Sequence, residues 1–189
     1  MIRLFITRSL TATTSPYFPG KGIASRTGRL DVIARMLRAS LWTTKGVRKD
    51  AQFIVTLEGP PNPPLTLYFD GKSLDCDLRT EIDAIKCIRK CMLGLSKGCT
   101  RTRDSFEFVL KNLKMPIIFL KEGGEDVTSL KYFKTLAFVI GPQHDIDLPS
   151  DVRPSQVISI GKKSYLASHV ISYINFYLDL KSNRIKIIK

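Results

Sequence analysis

Apolar positions in this chain follow two periodicities, and their alternation along the sequence outlines a fold. The runs "IRLFIT", "AQFIVTLEG" and "LTLYFDG" have the β-branched, alternating character of strands. Between the last two lies "GPPNPP", whose prolines lack the amide donor that a sheet ladder needs, so it reads as a stiff, shaped loop. "RLDVIARMLRASLWT" instead places Leu30, Ile33, Ala34, Leu37, Leu41 and Trp42 at helical spacing and turns Arg35 and Arg38 to other angles. "RTEIDAIKCIRKCML" predicts a second helix through Ile82, Ile85, Ile88 and Met92.

The second half repeats one theme three times. "MPIIFLKEGG", "LAFVIGPQ" and "VISIGKK" are apolar runs that pass into glycine, with intervals long enough for crossovers between parallel strands. The pattern predicts an α/β sheet in a single domain, 1–189. In open parallel sheets ligands bind beyond the carboxyl ends of strands, where glycine lets backbone amides come close. Leu120 with Gly123 and Gly124, Gly141 and Gly161 mark three such ends and together suggest a small-molecule site. Neither a dinucleotide fingerprint nor a phosphate-binding P-loop motif occurs. The chain closes on "SYLASHVISYINFYLDL", a helix with apolar residues on nearly every side.

Charge adds a partner to this picture. The formal net charge is +13, and Met1 to Lys49 holds ten basic residues against one acid, Asp31. So basic a segment suits a polyanion. A second stretch, Lys86 to Arg103, carries six basic residues and no acid. The opening "MIRLFITRSLTATTS" shares the bias of an organelle transit peptide, but "IRLFIT" reads better as a buried strand. No apolar run reaches the roughly 18 residues of a membrane span, so a cytoplasmic protein without membrane attachment is expected. Cys76, Cys87, Cys91 and Cys99 form no C-x-x-C pair and have no histidine near them, which predicts no metal site and unpaired, buried thiols.

Two Arg-x-Asp pairs, Arg29 with Asp31 and Arg48 with Asp50, stand at the basic end of the chain. An acid retained in so positive a segment opposes phosphate binding unless it has another task, and that of a general base is one. His144 and His169 come with no serine or cysteine arranged as a nucleophile.

The segments "TGRLDVIARMLRASLW", "VRKDAQFIVTLEGPPNPPLTLYF", "FVIG" and "ISIGKKSYLASHVI" resemble the archaeal tRNA pseudouridine-54 N1-methyltransferases of the SPOUT superfamily, from Met1 to about Leu180. The resemblance implies an α/β trefoil-knotted sheet flanked by helices, S-adenosylmethionine as cofactor, tRNA as partner and a homodimer. It places the cofactor at Leu120, Gly141, Ile160, Gly161, Lys162, Lys163, Ser164, Tyr165 and Val170, the last standing where the family has a cysteine. It puts Asp31 and Arg29 at the target base, and Arg26, Arg48, Asp50 and Asn62 against the RNA. Two rivals share these features: a SPOUT enzyme acting on another RNA base, and a non-catalytic RNA-binding module of the same fold.

Overall fold

A computed structural model describes residues 2–131, 134–143 and 146–187. The strands are β1 (Ile2–Ser9), β2 (Trp42–Thr43), β3 (Gly46–Val47), β4 (Ala51–Leu57), β5 (Leu65–Asp70), β6 (Cys99–Thr102), β7 (Ile117–Asp126), β8 (Thr135–Ile140) and β9 (Gln156–Ser159). The helices are α1 (Ile23–Arg26), α2 (Leu30–Leu41), α3 (Glu81–Leu93), α4 (Phe106–Lys111) and α5 (Ala167–Ile187). Seven strands form one sheet in the order β6-β5-β4-β1-β8-β7-β9, while β2 and β3 make a small separate hairpin. From β4 to β9 every pairing is parallel, as the glycine-ended runs predict. The β5 and β6 strands extend the sheet antiparallel. The proline-rich loop separates β4 from β5, and pairing resumes at Leu57 and Leu65.

Alternation along the strands sorts the two faces of the sheet. Phe5, Phe53, Phe69 and Phe138 point to the side covered by α2, α3 and α5, and the Phe5 and Phe138 rings stack with centroids 5.4 Å apart. Leu4, Ile6, Ile54 and Val139 point the other way and meet Phe106, Val109 and Leu110 of α4. Residues one apart therefore serve different cores, which fixes the register, because a slip of one would expose both sets.

α3 starts at Thr80, whose hydroxyl accepts from the Asp83 amide while the Asp83 carboxylate accepts from Thr80 N–H, a reciprocal capping box. Its buried stripe is Ala84, Ile85, Cys87, Ile88, Cys91 and Met92. Ile82, expected in that stripe, stands away from it and is 64% exposed. The cysteines also depart from expectation: Cys76 pairs with Cys87 and Cys91 with Cys99, each with Cα atoms 5.7 Å apart, inside the ordinary disulfide range. The partners meet because the loop before α3 and the strand after it both fold back onto the helix. Intracellular disulfides are uncommon outside hyperthermophiles.

Gly123 and Gly124 differ from expectation as well. They lie within β7 where its pairing with β9 shifts register between Leu120 and Glu125, so the strand continues to Asp126 instead of ending at glycine. α5 buries Ile171, Ile174, Asn175 and Leu178 and leaves Tyr173, Phe176 and Leu180 exposed. Its apolar residues thus divide between an inner and an outer side. Among the described residues no helix is long and apolar enough to cross a membrane.

Candidate active site

Because β4, β1, β8, β7 and β9 run in one direction, their carboxyl ends share an edge of the sheet. A cavity of about 630 Å³ opens there, a volume typical of small-molecule sites. Leu120, Ile140, Ile158, Ile160 and Val170 give it an apolar wall. Gly141, Lys163, Ser164 and Tyr165 bring backbone and polar groups from the connecting loops. The Ser159 hydroxyl donates to Gly161 O at 2.6 Å and accepts from Gly161 N–H at 3.2 Å, which folds the loop tightly back after β9. A Cβ at Gly161 would come within 3.0 Å of the Tyr165 hydroxyl. Gly161 and the exposed Lys162 belong to this loop without lining the cavity, whereas the other seven expected cofactor residues line it. The mixture suits S-adenosylmethionine: an apolar slot wide enough for adenine, strand-end amides and carbonyls for its edge, and cations for a carboxylate.

The opposite wall comes from the start of α2. Gly28 has φ +59°, and a Cβ there would sit 1.7 Å from Thr11 O, so only glycine fits. Arg29 follows with φ 71°, the single non-glycine residue with positive φ among those described. Backbone held in this region costs on the order of 1–3 kcal/mol and persists where the surroundings enforce it. The consequence is an Arg29 side chain turned onto the cavity wall.

Asp31 fixes it there. Arg29 Nε donates to Asp31 Oδ1 at 3.0 Å and Arg29 Nη2 to Oδ2 at 3.1 Å, a bidentate fork. Arg35 Nη2 donates to Oδ2 at 2.8 Å from one helical turn on, and Arg35 also lines the cavity. Burial pushes the Asp31 carboxyl up, but the Arg29 hydrogen bonds and the charges of Arg29 and Arg35 outweigh it and hold its pKa below the usual value. Arg29 is raised, chiefly by its bond to Asp31. Arg35 also pairs with Glu81 at 3.8 Å, and with Lys121 and Lys163 against Glu122 on the lining, cations still outnumber acids around the cavity. Arg35 is the residue that sequence reasoning missed; its i, i+4 spacing from the sole acid of the segment was the available signal.

The other expected residues separate. Arg26, at the end of α1, and Asn62, at the tip of the proline-rich loop, are exposed at the cavity's edge of the sheet. Arg48 and Asp50 lie at the opposite edge, before β4, whose seven residues make six steps of about 3.3 Å, roughly 20 Å. There Arg3, only 1% exposed, donates to Asp50 at 2.8 Å and to the Asn175 side chain at 3.1 Å, and pairs with Asp179 at 3.0 Å. Arg48 forks onto Asp179 and reaches Asp50 at 3.3 Å. Burial lowers the Arg48 pKa, and Asp179 and Asp50 more than restore it. In this chain the second Arg-x-Asp pair ties α5 to the strand starts. His144 lies outside the described residues, and His169 is in the first turn of α5. Among the described residues no group of three or more His, Cys, Asp or Glu could hold a metal ion.

Fold and cavity together define a class, and comparison with known proteins gives it a description. The chain belongs to the family described as "Putative SAM-dependent RNA methyltransferase", whose sequence model matches residues 2–182. Within that class it belongs with the tRNA (pseudouridine(54)-N(1))-methyltransferases. It is 30% identical to that of Thermococcus kodakarensis, over 94% of this chain and 99% of the relative. It is 32% identical to that of Pyrococcus abyssi, over 94% and 98%. The solved structure of Archaeoglobus fulgidus Nep1 bound to S-adenosylhomocysteine superposes with a TM-score of 0.57, over 92% of this chain and 94% of that one. At 12% identity that likeness shows the fold alone, a mostly parallel sheet flanked by helices.

Proposed function

We propose that this protein transfers the methyl group of S-adenosylmethionine to N1 of pseudouridine 54 in tRNA. Bound in the cavity, the cofactor supplies an electrophilic methyl on a sulfonium. The apolar wall of Leu120, Ile140, Ile158, Ile160 and Val170 would take the adenine, with Gly141, Lys163, Ser164 and Tyr165 around it.

The glycosidic bond of pseudouridine goes to carbon, so its N1 carries a hydrogen and becomes a nucleophile when that proton leaves. Negative charge then spreads onto the uracil oxygens, and Arg29 stands on the cavity wall to stabilise it. Asp31 has both oxygens engaged by arginine, so its first task is to hold Arg29 in place; the N1 proton would reach it through water and pass on to solvent. The bound cofactor would supply its methyl to N1 as its C–S bond breaks, leaving as S-adenosylhomocysteine.

The observation that carries this reading is the position of Arg29, forced by its backbone onto the wall of the cavity built by the strand ends. Relatives of nearly the same length bear the same activity in their names. Arg26 and Asn62 are placed for the RNA backbone at that edge. Arg48 and Asp50 serve α5, whose exposed Tyr173, Phe176 and Leu180 suit a homodimer in the cytoplasm. A trefoil knot, with the C-terminal segment threaded through a loop, completes the proposed fold.

The test is mass spectrometry of nucleosides from tRNA incubated with protein and S-adenosylmethionine. Pseudouridine 54 should become N1-methylpseudouridine. tRNA with uridine there has N1 blocked by the sugar and should gain no methyl; methylation of it at that position would refute the reaction.

A further inference from the structure

The segment from β1 to α2 leaves the sheet at the cavity's edge, passes through α1 and ends at Arg29. It is long, yet its backbone is held at residues 12–15 and again at Phe18. Thr13 N–H donates to Thr27 O at 2.9 Å, and Thr14 N–H and Thr13 Oγ1 donate to Pro60 O, both at 2.9 Å. Thr14 Oγ1 donates to Gly59 O at 3.2 Å and accepts from Asn62 N–H at 2.9 Å. These bonds weld the loop to the proline-rich turn, which Arg103 grips from beyond through the carbonyls of Asn62 and Pro64. Farther on, Arg89 donates to Phe18 O at 2.5 Å and lies 4.3 Å from the Phe18 ring centroid, with Phe18 itself only 9% exposed.

Tyr17 sits between these anchors. Its amide donates to Ser15 Oγ at 3.1 Å, Pro16 and Pro19 flank it, and the next residue is buried. Its own side chain is 84% exposed, the highest value of any large apolar residue among those described. A single exposed aromatic is ordinary on a loose loop. Here the backbone beneath the ring is fixed, so little conformational freedom remains to be lost when something stacks on it. Lys21 and Arg26 are exposed nearby in the chain and make no ion pair among the described residues.

We propose that Tyr17 is a stacking platform for an unpaired base of the RNA substrate, close to the base that enters the cavity. This rests on the reading of the cavity as an RNA-modifying site. Single-stranded and loop regions of RNA are recognised by bases stacked on aromatic rings among cations, and each such stack is worth about 1–3 kcal/mol by alanine substitution. An acidic peptide would satisfy the cations but has no use for a rigid exposed ring.

The experiment uses the full chain with S-adenosylhomocysteine and a tRNA T-arm hairpin containing pseudouridine 54, with 2-aminopurine placed at one loop position at a time. Stacking quenches 2-aminopurine, so the wild type should quench it at one position, and Tyr17→Ala should abolish that quench and weaken binding about 5- to 150-fold. Tyr17→Phe should keep both, and calorimetric affinity for S-adenosylhomocysteine should not change in either variant. The salt dependence separates ring from charge: Tyr17→Ala should leave the slope of log K against log salt unaltered, whereas Arg26→Ala should reduce it by about one. Tyr17→Ala with wild-type quench and affinity would overturn the proposal. A hairpin bound and quenched that gains no methyl when S-adenosylmethionine replaces S-adenosylhomocysteine would leave the platform standing and refute the methyl transfer; no binding at all would refute both.

Discussion

The two edges of the sheet carry the same short motif to opposite ends. At the carboxyl edge Arg29 lines a cavity with its side chain 45% exposed, and Asp31, at 10%, stands behind it without lining the cavity. At the amino edge Arg48 and Asp50 join Arg3 and Asp179, with the Arg48 side chain 15% and the Arg3 side chain 2% exposed. The first pair spends backbone strain to display a cation, while the second uses its cation to fasten the last helix. An arginine two residues before an aspartate therefore says nothing of its role until the strand direction is known. Burial of the cation and the number of acids that share it separate chemistry from support.

The comparison breaks first at the cavity. Arg29→Ala removes the charge aimed at the uracil oxygens, and a loss of roughly 10²–10³ in the methyl-transfer rate is expected, the size found for removing one oxyanion donor. Thermal unfolding should move only slightly, because alanine keeps the positive-φ strain, Asp31 keeps Arg35, and a partly exposed ion pair is worth about 0–1 kcal/mol. A rate within a few fold of wild type in single-turnover assays would remove Arg29 from the chemistry.

The next effect belongs to the opposite edge. Arg3→Met keeps the bulk but leaves Asp50 and Asp179 short of a shared cation, at about 2–3 kcal/mol of stability. Both acids keep contact with Arg48 and are partly solvated, which limits the loss. Denaturant titration should show a lower midpoint, with activity of the folded fraction retained. An unchanged midpoint would mean that α5 does not depend on this cluster.

The smallest effect is a pH dependence. Burial pushes the Asp179 carboxyl up, but hydrogen bonds and charge from Arg48 and Arg3 prevail and leave its pKa below the ordinary value. A group whose folded pKa is depressed stabilises the fold above its unfolded pKa, near 3.9, and loses that contribution as pH falls through the folded pKa. Stability should therefore decline below about pH 4. Asp179→Asn should flatten that acid limb in urea titrations at pH 3 and pH 6; an undiminished slope would assign it to other acids.

Much of the sheet was legible because alternation and β-branching act locally: Phe5, Phe53 and Phe138 announce a buried face whatever lies beside them. β6 was not, since Cys99–Thr102 is a four-residue edge strand whose exposed residues owe nothing to a core. The disulfides were hidden for a related reason, because Cys91 and Cys99 become partners only once that strand pairs with β5. In the site, the cofactor residues followed from glycine-ended strands and from the family resemblance, and seven of the nine line one cavity. Arg35 and the separation of the two Arg-x-Asp pairs depended on what lies across space. Asp179 stands 131 residues from Arg48, and no local pattern links them.

The most direct measurement sets Asp31→Asn beside Asp50→Asn in single-turnover methylation of tRNA containing pseudouridine 54, with S-adenosylmethionine affinity and melting temperature taken on the same samples. Asp31→Asn keeps the shape of the side chain but surrenders the charge that holds Arg29 and draws the N1 proton. Its rate should fall by roughly 10²–10⁴, recover in part as pH rises, and leave cofactor affinity almost unchanged. Asp50→Asn should lower the melting temperature and keep the rate within a few fold. Equal losses of rate in the two variants, or full activity in Asp31→Asn, would contradict the division of the motif between chemistry at one edge and support at the other.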